Sequence, residues 1–181
     1  MKRAKKVIEI DGFSFESVEE LHFYYWLQEA KADGYIDYFE YHQTTFDLIP
    51  RQVEAYTDFR GRPKEKFLFH PVTYTPDFIF TATERLKNLL KTEQGTYYVD
   101  IKGGFEPTHS KEQVFSIVRK LVYYSKGIYI DKIIPSEWFS KTWVPDEAAY
   151  MSNRRELTRR KPYINCRLLR EVPNANQERF L

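Results

Sequence analysis

Tyr74-Thr75-Pro76-Asp77-Phe78, running on into Ile79-Phe80-Thr81, and Tyr97-Tyr98-Val99-Asp100-Ile101-Lys102-Gly103 are the two runs from which the chain is read. Both are rich in aromatic and β-branched residues. The connection between them, Glu84 to Gly95, is polar and carries Lys87, Asn88, Lys91 and Glu93. Two such runs joined by a polar loop predict a hairpin or near-hairpin. Residues two apart on a strand share a face, so Asp100 and Lys102 point one way and Ile101 the other. Pairing would bring Asp77 to them. Two carboxylates and an ammonium at one edge of an apolar strand pair make either a metal-dependent catalytic site or a salt bridge. Each piece alone is ordinary: Asp-x-Lys on a strand is usually a solvated pair, and an aspartate after proline can cap local backbone donors. The spacing and the Lys-Gly ending together favour the site.

Upstream, Val7 to Ile10, Asp11-Gly12 and Phe13 to Phe15 predict a short hairpin on an Asp-Gly turn. A helix is expected from Val18 to Ala32, with Ser17 as N-cap, Glu20 completing a capping box, and Asp33-Gly34 as the stop. Tyr35 to Ile49 reads as one or two strands ending at Pro50, and residues 51–66 as a polar excursion turning at Arg60-Gly61-Arg62-Pro63. After Gly103-Gly104 a second helix is expected over Lys111 to Lys126, started by Ser110 with Gln113 and burying Val114, Ile117, Val118 and Leu121. Ile128 to Ile134 reads as a strand and Pro135 to Trp138 as a helical turn. Trp143-Val144-Pro145 reads as anchoring packing, and Asp146 to Arg160 as a third helix. The class is α/β, with helices before and after the central strands.

A chain of 181 residues with 17% aromatics can bury a substantial core, and its 30% charged residues and lack of a long apolar run make it a soluble protein by expectation. The basic start, Met1 to Lys6, is followed by only a few apolar residues before Asp11, so no secretory signal is read there. Cys166 is the single cysteine, which excludes an internal disulfide and a cysteine-built zinc site and fits a reducing, cytoplasmic compartment. His22, His42, His70 and His109 show no zinc spacing.

The net charge of +2 hides an uneven distribution. Residues 1–6 carry four basic groups and no acid, and residues 150–181 carry eight against three. The remainder holds sixteen basic against twenty-three acidic groups, a net of −7. Basic ends around an acidic middle suit a nucleic-acid binder with a cation-binding centre, although a solvated helix face explains the tail equally well. Lys111 and Lys120 on the second helix, and Arg154, Arg155 and Arg159 in the tail, are the candidate DNA contacts.

Phosphodiester hydrolysis needs an activated water, stabilised charge at phosphorus and help for the leaving oxygen, and a divalent ion can serve all three. Asp77, Asp100 and the carbonyl of Ile101 are hard oxygen ligands suited to Mg²⁺, with Lys102 positioned to orient water or stabilise phosphate charge.

Pro76-Asp77 followed by Asp100-Ile101-Lys102 resembles the PD-(D/E)xK nuclease superfamily, and Phe15-Glu16-Ser17-Val18-Glu19-Glu20 looks like its first, helical motif. With Phe39-Glu40-Tyr41 and Asp131 to Trp138, the similarity is closest to phage endonuclease I-type Holliday-junction resolvases, over roughly Phe15 to Trp138. The resemblance implies a restriction-endonuclease-like mixed sheet flanked by helices. It implies a nuclease domain over 1–145, with 146–181 a basic helical extension packed on or extending the same domain. It makes Glu20 the third acidic residue of the metal site, with Glu19 as the alternative, and Glu40 a further carboxylate. It implies Mg²⁺, with Mn²⁺ substituting, a homodimer, and four-way DNA junctions as substrate inside a bacterial host cell. Two other readings stay open: a nuclease acting on linear or flapped duplex, and a catalytically silent DNA-binding module.

Overall fold

Strand pairing at the two central runs sets the frame of the computed structural model, which describes residues 8–103, 109–153 and 156–173. The chain opens with β1 (Ile8–Ile10) and β2 (Phe13–Phe15), an antiparallel hairpin whose turn holds Asp11 and Gly12 at positive φ. α1 (Val18–Ala32) follows, begun by Ser17 accepting the Glu20 amide at 3.1 Å and ended before Gly34 at φ +71°. Next come β3 (Ile36–Tyr41), β4 (Phe46–Ile49), β5 (Gln52–Thr57), β6 (Pro63–Phe69), β7 (Val72–Tyr74) and β8 (Phe78–Ala82).

The connection after β8 is not a plain loop: it carries α2 (Glu84–Leu90). Leu86, Leu89 and Leu90 give its polar sequence one apolar side, and burial of Leu86 fixes the turn of helix against the core. β9 (Thr96–Ile101), α3 (His109–Lys126), β10 (Ile130–Ile133), α4 (Pro135–Lys141) and α5 (Asp146–Ala149) complete the order up to the tail. α3 begins at His109, so Ser110 lies inside it rather than at its cap, and β10 is shorter than the Ile128–Ile134 run.

The tail departs furthest from expectation. Asp146 to Arg160 is not one helix. α5 lasts one turn and gives way to β11 (Tyr150–Asn153) and β12 (Glu156–Arg159), an antiparallel pair. Tyr150 stands opposite Arg159, whose guanidinium lies 5.3 Å from the tyrosine ring, and Arg159 Nη2 also donates to the Cys166 carbonyl at 2.5 Å. That cross-strand contact and the small polar Ser152-Asn153 at the strand end outweigh the helical charge spacing.

The chain divides into two units, neither matching a 1–145 and 146–181 split. The first comprises residues 1–41, 77–106 and 131–181. It holds the four-stranded sheet β10-β9-β8-β3, mixed and flanked by helices, so the tail belongs with the sheet rather than extending it. Phe23, Trp26, Phe80, Trp138, Trp143 and Tyr35 form its aromatic centre, with Trp26 and Trp143 rings 5.2 Å apart. Glu29 on α1 accepts from Trp143 Nε1 and the Asp146 amide, each at 2.9 Å, and so ties α1 to α5.

The second unit, residues 42–76 and 107–130, has no layered sheet. β4 pairs with β7, and β5 with β6, each antiparallel. The excursion at 51–66 is therefore an ordered ribbon. α3 lies against β4, but Val114 and Ile117 are 61% and 64% exposed, whereas Val122 is fully buried. The stripe expected to be buried is left open because two-stranded pieces are too small to cover a whole helix face.

Candidate active site

The β8–β9 ladder decides what happens to the four charged residues. Phe78 stands opposite Val99, so continuing the antiparallel register by one residue sets Asp77 opposite Asp100. Directly opposed residues have Cβ atoms about 5 Å apart, and two carboxylates at that spacing repel. The chain answers with donors. The Ile101 amide donates to Asp77 Oδ2 at 2.6 Å, and Lys102 Nζ forms an ion pair with Asp100 Oδ2. Asp100 is 6% exposed, while the Lys102 side chain keeps a third of its surface open. The Lys102 amide in turn donates to the Ile133 carbonyl at 2.9 Å, fixing this end of β9 against β10.

Glu20 reaches the same end of the sheet from α1. It is buried, and its carboxylate accepts from Ser17 Oγ at 2.8 Å, from the Glu16 amide at 3.1 Å and from the Tyr41 hydroxyl at 3.1 Å. Capping and site are therefore one arrangement: the box that starts α1 also aims Glu20 at Tyr41. Tyr41, the last residue of β3, additionally donates to the Ser14 carbonyl at 2.9 Å. Burial first, then the charge and hydrogen bond of Glu20, then the charge of Asp77, push its hydroxyl well above the ordinary tyrosine range. It stays a protonated donor between the two acids. Charge spacing gives no hint of this tyrosine; the signal is its place as the buried last residue of β3.

Glu19, beside Glu20, projects elsewhere: its Oε1 lies 3.5 Å from where a side chain on Gly103 would begin. Glu40 is not part of the cluster. It pairs with Ile79 on β8, two residues along from Asp77. Its Oε2 accepts from the Tyr38 hydroxyl at 2.7 Å.

Among the described residues no three His, Cys, Asp or Glu side chains converge on one ion position. The donor set that fits Mg²⁺ is thus Asp77, Asp100 and the Ile101 carbonyl, since this ion is commonly held by one or two carboxylates with waters and substrate oxygens completing six. Glu20, its oxygens already accepting three donors, stands behind that set. A cleft of about 580 Å³ lies elsewhere, at the C-terminal half of α1 among Glu29, Asp33, Arg85 and Asp146.

Of the candidate DNA contacts, Lys111 lies on the first turns of α3 and Lys120 is exposed further along it. Arg159 lies on β12, engaged with Tyr150 and Cys166 inside the tail. Arg154 and Arg155 lie outside the described residues, as do the basic residues 1–6. No described helix is long and apolar enough to cross a membrane.

No curated protein and no solved structure matches the chain. Residues 1–126, which include β8, β9 and the N-terminus of α1, match a family described as a protein of unknown function, DUF1064, and the chain belongs to that family.

Proposed function

We propose that this protein is a metal-dependent DNA endonuclease, acting on branched DNA in the manner of a junction resolvase. The observation that carries the reading is the opposition of Asp77 and Asp100 at the end of an antiparallel ladder, with Lys102 ion-paired to one and the Ile101 amide bonded to the other. Opposed carboxylates cost stability unless something positive sits with them. A cation-dependent reaction is a reason to keep them.

In this reading a bound Mg²⁺, or Mn²⁺ in its place, supplies Lewis acidity at the phosphate and acidifies a bound water. The residues do the rest. Asp77 and Asp100 present oxygen ligands, and the Ile101 amide holds Asp77 in a single orientation. Lys102, partly open to solvent, places its ammonium where charge develops on the phosphate or where the attacking water must be held. Glu20, held by Tyr41, stands at the same end of the sheet as the third acid of the metal site. The preference for junctions, action as a homodimer and a cytoplasmic location rest on the likeness of the sequence motifs to phage resolvases.

The test is cleavage of a four-way junction and of linear duplex of the same sequence, with and without Mg²⁺. Asp100→Ala and Lys102→Ala are expected to lower cutting by at least about a thousandfold while leaving junction binding within a few-fold. Cutting at the wild-type rate by either variant overturns the site. Equal cutting of junction and duplex turns the reading to a linear-duplex nuclease, and no cutting of any substrate turns it to a silent DNA-binding module.

A further inference from the structure

Two-stranded hairpins are at best marginally stable alone in water, so one that stands without a third strand points to a partner. β5–β6 is such an element. Among the described residues it pairs only within itself, and every residue of its two strands except Gln52 is exposed. The register places Tyr56 opposite Lys64 and Glu54 opposite Lys66, so Glu54, Tyr56, Lys64 and Lys66 share one face, with Lys64 3.6 Å from Asp58 Oδ2. The turn is held rigidly. Asp58 Oδ1 accepts the amides of Arg60 and Arg62 at 2.8 and 3.0 Å, and its Oδ2 pairs with Arg62 at 3.0 Å. That turn presents Phe59, 92% exposed, with the Arg60 guanidinium 5.1 Å from its ring.

Charge selects the partner. Arg51 to Lys66 carries five cations (Arg51, Arg60, Arg62, Lys64, Lys66) against three acids (Glu54, Asp58, Glu65), a net of +2, within a chain middle that is otherwise acidic. One of those acids, Asp58, is used within the turn. A second copy of the same ribbon would set lysine against lysine, and Pro63 with Lys64 and Lys66 blunts edge-to-edge pairing. An anionic surface has the opposite preference. Six residue pairs span about 20 Å, and a two-stranded ribbon fits a DNA major groove about 12 Å wide.

We propose that the β5–β6 hairpin is a DNA-contacting arm. Lys64, Lys66 and the tip arginines meet phosphates of a duplex, and Phe59 stacks on or wedges between bases. The proposal deepens the nuclease reading by naming a surface for the same substrate, and its test does not depend on cleavage. The full chain in EDTA is titrated against fluorescent duplex and four-way junction, by anisotropy over a range of salt. Lys64→Glu with Lys66→Glu is expected to weaken binding at least about tenfold and to make the log–log salt slope shallower by about two. Phe59→Ala is expected to weaken binding about tenfold with the slope unchanged, and Lys64→Arg with Lys66→Arg to bind as wild type. Unchanged affinity and slope in the first two variants overturn the arm. So does a change of molar mass in light scattering with DNA affinity intact, which would mark a self-association surface. Wild-type chain that binds DNA and never cuts in Mg²⁺ sinks the nuclease reading alone. An arm variant that cuts normally and binds undiminished sinks the arm alone.

Discussion

Tyr41 carries more of the site than its sequence position advertises. Its ring packs 4.8 Å from Phe15 and 4.9 Å from Phe78, and its hydroxyl spans Glu20 and the Ser14 carbonyl. Tyr41→Phe keeps the packing and removes only the oxygen. Losing two hydrogen bonds, one to a carboxylate, is expected to cost about 1–3 kcal/mol in urea unfolding. If Asp77 and Asp100 bind the ion, loosening the Glu20 side of the cluster should raise the Mg²⁺ needed for half-maximal cleavage about tenfold. No change in either measurement would show that the hydroxyl positions nothing. Asp100 and Lys102 were legible from their two-residue spacing, because strand alternation alone decides which side chains share a face, and Asp77 from the pairing of its run with theirs. Tyr41 was not, because the bond to Glu20 joins a helix to a strand.

At the level of elements, α1 works as a strut between the site and the tail. Its first turn aims Glu20, and near its end Glu29 accepts the Trp143 indole and the first amide of α5. Burial raises the carboxyl of Glu29 above its usual range, and the two donors hold it down against that. Glu29→Ala strands both donors, so it is expected to lower stability by about 2–3 kcal/mol in denaturant melts, with Glu29→Gln recovering part of it. A loss under about 0.5 kcal/mol would place the anchor elsewhere. The capping box made α1 readable to the residue. The tail does not form the single helix expected over Asp146 to Arg160, because the Tyr150–Arg159 pairing joins two strands that local sequence does not mark.

For the whole molecule, acid sensitivity follows from His22. It is buried on α1, its Nδ1 is 2.8 Å from the Tyr163 hydroxyl, and its pKa falls from 6.5 to about 4. Burial is the main cause, with the Arg160 charge second. The unfolded chain therefore binds a proton first as pH falls. Stability from neutral His22 is whole above about pH 6.5, is lost as pH drops from there toward about 4, and amounts to something on the order of 3 kcal/mol. His22→Gln should flatten the melting-temperature curve across that window relative to wild type. Parallel curves for the two proteins would remove His22 from the account.

By itself the sequence determined the α/β class, α1 with its caps, the opening hairpin and the pairing of two acids with a lysine. Those features depend on periodicity and on neighbours within a few residues. Only tertiary structure decided that α2 fills the connection, that β11 and β12 pair in the tail, that Tyr41 meets Glu20, and that residues 51–66 form an open ribbon. Each of these turns on contacts between residues distant in the chain, where ladder register and burial outweigh local propensity.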